Sequence, residues 1–100
     1  MDPNADRIHL ANRDLHPHLR ERMSQRGVTR EEIERTLNEG QEAKDAKAGT
    51  LGEVLVFQSE GEWEGKFARQ KEVTVYYKVR PEGIVLLTVK ARYGEDFPQE

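Results

Sequence analysis

The stretch from Lys71 to Gly94, KEVTVYYKVRPEGIVLLTVKARYG, reads as two long strands folded about a tight turn. Val73, Val75, Tyr77 and Val79 alternate with Thr74, Tyr76, Lys78 and Arg80. Beyond the turn, Val85, Leu87, Val89 and Ala91 alternate with Ile84, Leu86, Thr88, Lys90 and Arg92. A period of two gives each arm two faces. Pro81-Glu82-Gly83 carries turn chemistry: proline presets the first torsion, and Gly83 suits the left-handed position that closes a three-residue loop. Folding about Glu82 pairs Val79 with Val85, Tyr77 with Leu87, Val75 with Val89 and Val73 with Ala91, so one face is apolar throughout. The other face collects Thr74, Tyr76, Lys78, Arg80, Thr88, Lys90 and Arg92, and Glu72 falls opposite Arg92 as a cross-strand ion pair.

Upstream of the hairpin, LGEVLVFQ (Leu51–Gln58) is a further strand, Ser59 to Glu62 a turn, and WEGKFARQ a short irregular strand that enters the hairpin. The charged, small-residue run QEAKDAKAGT (41–50) reads as a loop or a frayed continuation of the second helix, with no evident chemistry. The helical period appears earlier. Leu15, Leu19 and Met23 recur at fours, Pro17 suits a first helical turn and Gly27 a position just past the end, giving a helix over Pro17 to Arg26. In RGVTREEIERTLNEG, Thr29 and Glu32 form a capping box, Val28 and Ile33 a hydrophobic staple, and Gly40 the stop. Helices first and strands afterwards imply an α+β fold, two N-terminal helices packed on a three- to four-stranded, mainly antiparallel sheet. Residues 1–13 read as a flexible N-terminal tail, 14–94 as the single domain, and 95–100 as a polar C-terminal tail that Phe97 is available to pin.

A chain of 100 residues has room for one modest core. It has no cysteine, which excludes disulfides and thiolate-bound metals, and the opening residues lack the pattern of an export signal. A cytoplasmic, membrane-free protein is expected. The net charge of -3 argues against a generic nucleic-acid coat. Its distribution is uneven, however: residues 66–92 hold seven Lys or Arg against two Glu, and the remainder nine against seventeen acids. The hairpin half is locally cationic, which suits either an anion-binding face or a solvated one.

Two constellations can carry chemistry. His18, Arg22 and Arg26 stack one turn apart at the border of the Leu15–Leu19–Met23 stripe, where they can reach toward the hairpin or simply cover the core edge. Tyr76, Lys78, Lys90 and Arg92 share the polar hairpin face, with Lys66 near them in sequence. Such cations hold phosphate, and a tyrosine stacks on a base or shares a proton. His16-Pro17-His18 does not have a recognised metal-ligand spacing, and no phosphate loop or nucleophile motif is present, so neither metal nor cofactor is expected.

The run His18-x-x-x-Arg22-Met23-x-x-Arg26-Gly27-Val28-Thr29-x-x-Glu32-Ile33 resembles the opening of a bacterial domain-of-unknown-function family, H-x-x-x-R-M-x-x-R-G-[IV]-[ST]-x-x-[DE]-[IV]. That family is in turn similar to the RelE/ParE-type toxin superfamily. The resemblance implies a small ribonuclease-like domain, with RNA or the ribosome as target and an antitoxin-like protein as partner. Only His18, Arg22 and Arg26 are carried by the motif; the strand residues come from face geometry. The expected set is His18 as general acid or base, Arg22, Lys90 and Arg92 as phosphate clamps, Tyr76 as stacking or proton-sharing group, and Arg26, Lys66 and Lys78 as further RNA contacts. The rival is a non-catalytic protein-interaction module that uses the sheet face or edge.

Overall fold

Proline at a first helical position fixes the torsion that a helix needs and lacks only an N–H that would go unused. The first helix, α1 (Pro17–Arg26), begins on this device, and its N-cap is His16, whose ring Nδ1 accepts the Leu19 N–H at 3.2 Å. Gly27 ends it in the left-handed region, with φ 70° and ψ 34°. The computed structural model describes residues 8–63 and 66–94, with side chains described for residues 8–58 and 69–94. The second helix, α2 (Arg30–Glu39), has the expected capping box. Glu32 N–H donates to Thr29 Oγ1 at 3.1 Å, and Thr29 N–H to Glu32 Oε1 at 2.9 Å. Val28 and Ile33 both enter the core, as a staple requires.

Four antiparallel strands follow in the spatial order β1-β2-β3-β4: β1 (Gln41–Glu42), β2 (Leu51–Trp63), β3 (Lys66–Arg80) and β4 (Gly83–Gly94). The fold is α+β, with helices N-terminal to the sheet. Three local expectations are corrected. The loop read at 41–50 opens with a two-residue strand. Ser59 to Glu62 is not a turn: β2 runs through it to the Trp63–Lys66 pair, with a register irregularity between Gln58 and Gly61. The main hairpin has a two-residue loop, Pro81-Glu82, because Arg80 pairs with Gly83, which adopts φ 131°.

That shorter loop changes which side chains point where. Val79 pairs with Ile84 and Tyr77 with Leu86, while from Tyr76–Thr88 onward the expected register holds through Val75–Val89, Val73–Ala91 and Glu72–Arg92. Leu87 is the extra residue of a bulge between these two stretches. Leu86 therefore enters the core at 3% exposure, and Leu87 goes to the opposite face. The contiguous run Ile84-Val85-Leu86-Leu87 is apolar in either phase, so periodicity could not choose between them.

The core lies between the helices and one sheet face: Leu15 and Leu19 of the α1 region, Val28 and Ile33, and then Phe57, Val73, Val75, Leu86 and Val89. Residues 8–13, expected to belong to a tail, pack onto this body. Leu10 is buried, Ile8 N–H donates to Asn38 Oδ1 at 2.7 Å, Leu10 N–H donates to Glu34 Oε1 at 3.0 Å, and Asn12–Asp14 make a 3₁₀ turn. The remaining tail residues, 1–7 and 95–100, lie outside the described residues, as does Phe97. The corner between the helices is locked to the sheet by Lys71, which donates to both Glu32 oxygens at 2.7 and 2.9 Å and to Gly27 O; Tyr93 donates its hydroxyl to Arg26 O. The segment Arg26-Gly27-Val28-Thr29-x-x-Glu32 is thus consumed largely by architecture. It supplies a carbonyl, a left-handed cap, a core residue, an N-cap and an ion-pair partner.

Candidate functional site

Alternation along β3 and β4 sends Val73, Val75 and Val89 toward the helices, so Thr74, Tyr76, Thr88 and Lys90 must face the other way. On that face α1 and α2 are absent, and the segment between β1 and β2 lies across it. Ala43 starts the segment, buried, with its N–H donating to Gly52 O at 2.8 Å. Gly52 is required beneath it, since a Cβ there would stand 2.9 Å from the Ala43 Cβ and 3.2 Å from the Tyr76 ring.

Two residues further on, Asp45 meets the sheet. Tyr76 Oη lies 2.9 Å from each Asp45 carboxylate oxygen, and Lys90 Nζ is 3.4 Å from Asp45 Oδ2 and 5.2 Å from the centre of the Tyr76 ring. Alongside, Arg92 Nε donates to Glu72 Oε1 at 2.7 Å, the expected cross-strand pair. The Tyr76 hydroxyl, with Lys90 beside it, holds the Asp45 carboxyl below its usual range. Burial raises the Tyr76 phenol, with Lys90 opposing. Tyr76 and Asp45 in turn raise Lys90, and Glu72 raises Arg92. Opposite charges favour each other's ionised forms, so Asp45 with Lys90 and Glu72 with Arg92 are mutually held ion pairs, and the raised Tyr76 phenol serves the first pair as a hydrogen-bond donor.

Two adjoining grooves share Asp45 and Lys90. One, of about 270 Å³, has a mainly apolar wall from Tyr76, Leu87, Thr88 and Thr50, with Lys47 at its rim. The other, of about 260 Å³, is polar and is lined by Asp45, Glu72, Thr74, Lys90 and Arg92. Leu87 reaches the first groove only because of the bulge.

The structure brings Tyr76, Lys90 and Arg92 together and puts Lys78 on the same face toward the hairpin turn. It does not bring His18 to them. His18, Arg22 and Arg26 lie on α1, which packs against the opposite side of the sheet, so the expected pocket combining a helix imidazole with strand cations is not assembled. The His18 ring is exposed and stacks nearly parallel on His16, with centroids 6.2 Å apart and the planes at 6°. His16 is occupied structurally. With Nδ1 accepting from Leu19, Nε2 carries the proton and donates to Leu86 O at 3.0 Å, capping one carbonyl of the edge strand. The Lys66 side chain lies outside the described residues. Tyr76 is present but covered, at 8% exposure, so its ring is not offered for stacking while the 43–50 segment is down. Sequence reasoning missed Asp45, because a lone acid in a Lys- and Ala-rich loop carries no sign of what it touches. It missed Leu87 because the bulge is invisible to periodicity.

This set can do two things chemically. Lys90 and Arg92 can receive an oxyanion, while Asp45 and Glu72 can accept protons, so charge stabilisation and proton transfer stand side by side. Among the described residues, no three His, Asp or Glu side chains converge as metal ligands, and no helix is long and apolar enough to cross a membrane.

No curated protein and no solved structure matches the chain. A family model described as "Domain of unknown function (DUF4258)" matches residues 15–90, from the start of the helical region to Lys90 on the open face. The chain therefore belongs to the DUF4258 family of domains of unknown function.

Proposed function

We propose that the domain binds single-stranded RNA on its open sheet face, with Lys90 and Arg92 as phosphate clamps. The observation that carries this reading is the adjacency of the two grooves. A nucleotide joins a flat, largely apolar base to an anion, and here an apolar-walled groove adjoins one lined by two cations, Lys90 and Arg92, each paired with a carboxylate that an incoming phosphate can replace. RNA also carries its own nucleophile, the 2′-hydroxyl. Cleavage then needs a proton acceptor such as Glu72 for the 2′-hydroxyl as its oxygen bonds to phosphorus, a proton from a donor such as the Lys90 ammonium for the 5′-oxygen as the P–O5′ bond breaks, and a cation such as Arg92 for the charge that develops on the phosphoryl oxygens, which leaves a 2′,3′-cyclic phosphate and a free 5′-hydroxyl. This reading keeps the domain beside RelE/ParE-type toxin proteins, with a cytoplasmic RNA or ribosomal target and an antitoxin-like partner, but moves the reacting centre from His18 to the outer face. Arg22 and Arg26, on the other layer, drop out of the RNA contact set.

Anisotropy of a labelled single-stranded RNA tests the binding. Lys90→Ala and Arg92→Ala are each expected to weaken it by about tenfold, as for loss of a charge-assisted hydrogen bond, and to lower the salt slope by roughly 0.7 each. Wild-type affinity in both variants would sink the proposal. Incubation of RNA with the protein in EDTA tests the reaction, and RNA left intact by wild type would leave binding alone.

A second reading, the interaction module, draws on one feature. Leu51, Val79 and Val85 are exposed at the hairpin end of the sheet, at 47%, 63% and 42%. It predicts a complex that survives high salt and is lost in Val79→Asp; a complex indifferent to that change argues against it.

A further inference from the structure

We infer that Tyr76 Oη and Lys90 Nζ form an oxyanion site whose resting occupant is the chain's own Asp45, and that an RNA phosphate enters by displacing it. This rests on the RNA-binding reading above and adds how the site is held closed. Both Asp45 oxygens lie 2.9 Å from the Tyr76 hydroxyl, and one lies 3.4 Å from Lys90, so the carboxylate presents to these donors the pair of acceptor oxygens that a phosphodiester presents with its two non-bridging atoms.

Little else holds the segment. Among the described residues, the polar side-chain contacts between residues 44–50 and the sheet are those of Asp45. Thr50 N–H and Oγ1 both bond back to Lys47 O, inside the segment itself. The anchor is upstream, where Ala43 is buried and bonded to Gly52 O. The Lys90–Asp45 pair is well exposed, with 58% and 62% of the two side chains open to solvent, and ion pairs in such positions contribute little, so exchanging the internal carboxylate for a ligand phosphate is cheap. Tyr76 is 8% exposed at rest, yet its ring walls the apolar groove; lifting Asp45 frees its hydroxyl and opens its ring edge on the side where a base would lie. The site is thus self-occupied, and the 43–50 segment acts as a tethered competitor whose effective concentration is set by its short connection to the sheet.

The test compares Asp45→Asn, Tyr76→Phe, Lys90→Ala and Glu31→Gln against wild type in the anisotropy assay, and follows trypsin cleavage after Lys44 and Lys47 with and without the RNA. Asp45→Asn is expected to tighten binding about threefold to fivefold, the upper part of the range that corresponds to removing an exposed ion pair. Glu31→Gln removes the same charge on the helix layer and is expected to leave affinity within about twofold, which separates competition from a general charge effect. RNA is expected to speed cleavage after Lys44 and Lys47, as Asp45→Asn does without RNA. If Asp45→Asn binds no tighter while Lys90→Ala still weakens binding, the internal competitor is refuted and the RNA-binding reading stands. If Lys90→Ala is also without effect, both fall. RNA that protects Lys44 and Lys47 from trypsin would likewise overturn the displacement.

Discussion

Lys71 shows how much of a residue's role depends on what surrounds it. In sequence it is one more cation on a strand; in the fold its ammonium lies between Glu32, Gly27 O and the Tyr93 ring, 5.7 Å from the ring centre. With only 12% and 20% of the Lys71 and Glu32 side chains exposed, each charge depends on the other. Glu32→Ala strands the Lys71 ammonium and removes half of the capping box, and is expected to destabilise the fold by about 2–4 kcal/mol by urea unfolding. Lys71→Met, which keeps the stem and removes the charge, is expected to cost less, and the double variant less than the sum. Additive costs would mean that the two residues act separately. The same view explains the recognisable motif: Gly27, Val28, Thr29 and Glu32 are legible as caps and core, while Arg26 enters through its carbonyl, which no motif can reveal.

Both helices are legible in the sequence from their caps, whereas the details of the sheet are not. Helix ends are encoded locally by Pro17, Gly27, Thr29 and Glu32, whose effects act within a turn. Strand phase is a pairing property, and it shifted by one residue where Ile84 to Leu87 is apolar on both faces. Deleting Leu87 is expected to remove the bulge and restore continuous pairing while emptying the apolar groove of its wall; β4 amide exchange near Leu86 should slow, and RNA binding should weaken. The seating of Ala43, the residue after β1, on β2 depends on Gly52. Gly52→Val is expected to lift Ala43, raise the exchange rate of its amide and cost about 1–3 kcal/mol, because its side chain would overlap Ala43 and the Tyr76 ring. An unchanged Ala43 amide would show that the segment is held by something other than this close approach.

For the whole molecule, pH separates the layers. The folded-state value of Asp45 is lowered, so its contribution is present above the ordinary carboxylate value and is lost as pH falls through the lowered one. Tyr76 and Tyr77 are raised, chiefly by burial, so theirs is present below the ordinary phenol value of about 10 and is lost as pH rises through the raised values. Stability against pH is therefore expected to bend at the acid end through Asp45 and at the alkaline end through the two phenols, and Tyr76→Phe should relax both bends, since it removes the donor to Asp45 as well as one phenol. Thermal unfolding across pH, with tyrosinate absorbance, measures this; a phenol titration that begins at the ordinary value for all tyrosines contradicts it. The helices, the main hairpin and its polar face with Tyr76, Lys90 and Arg92 follow from the chain alone, because caps, turns and alternation are written in neighbours a few residues apart. That the sheet stands between His18 and those cations, and that Asp45 from a featureless loop joins them, is settled in three dimensions. Which layer a helix covers and where a loop comes to rest are set by packing across the whole chain, and no local pattern carries that information.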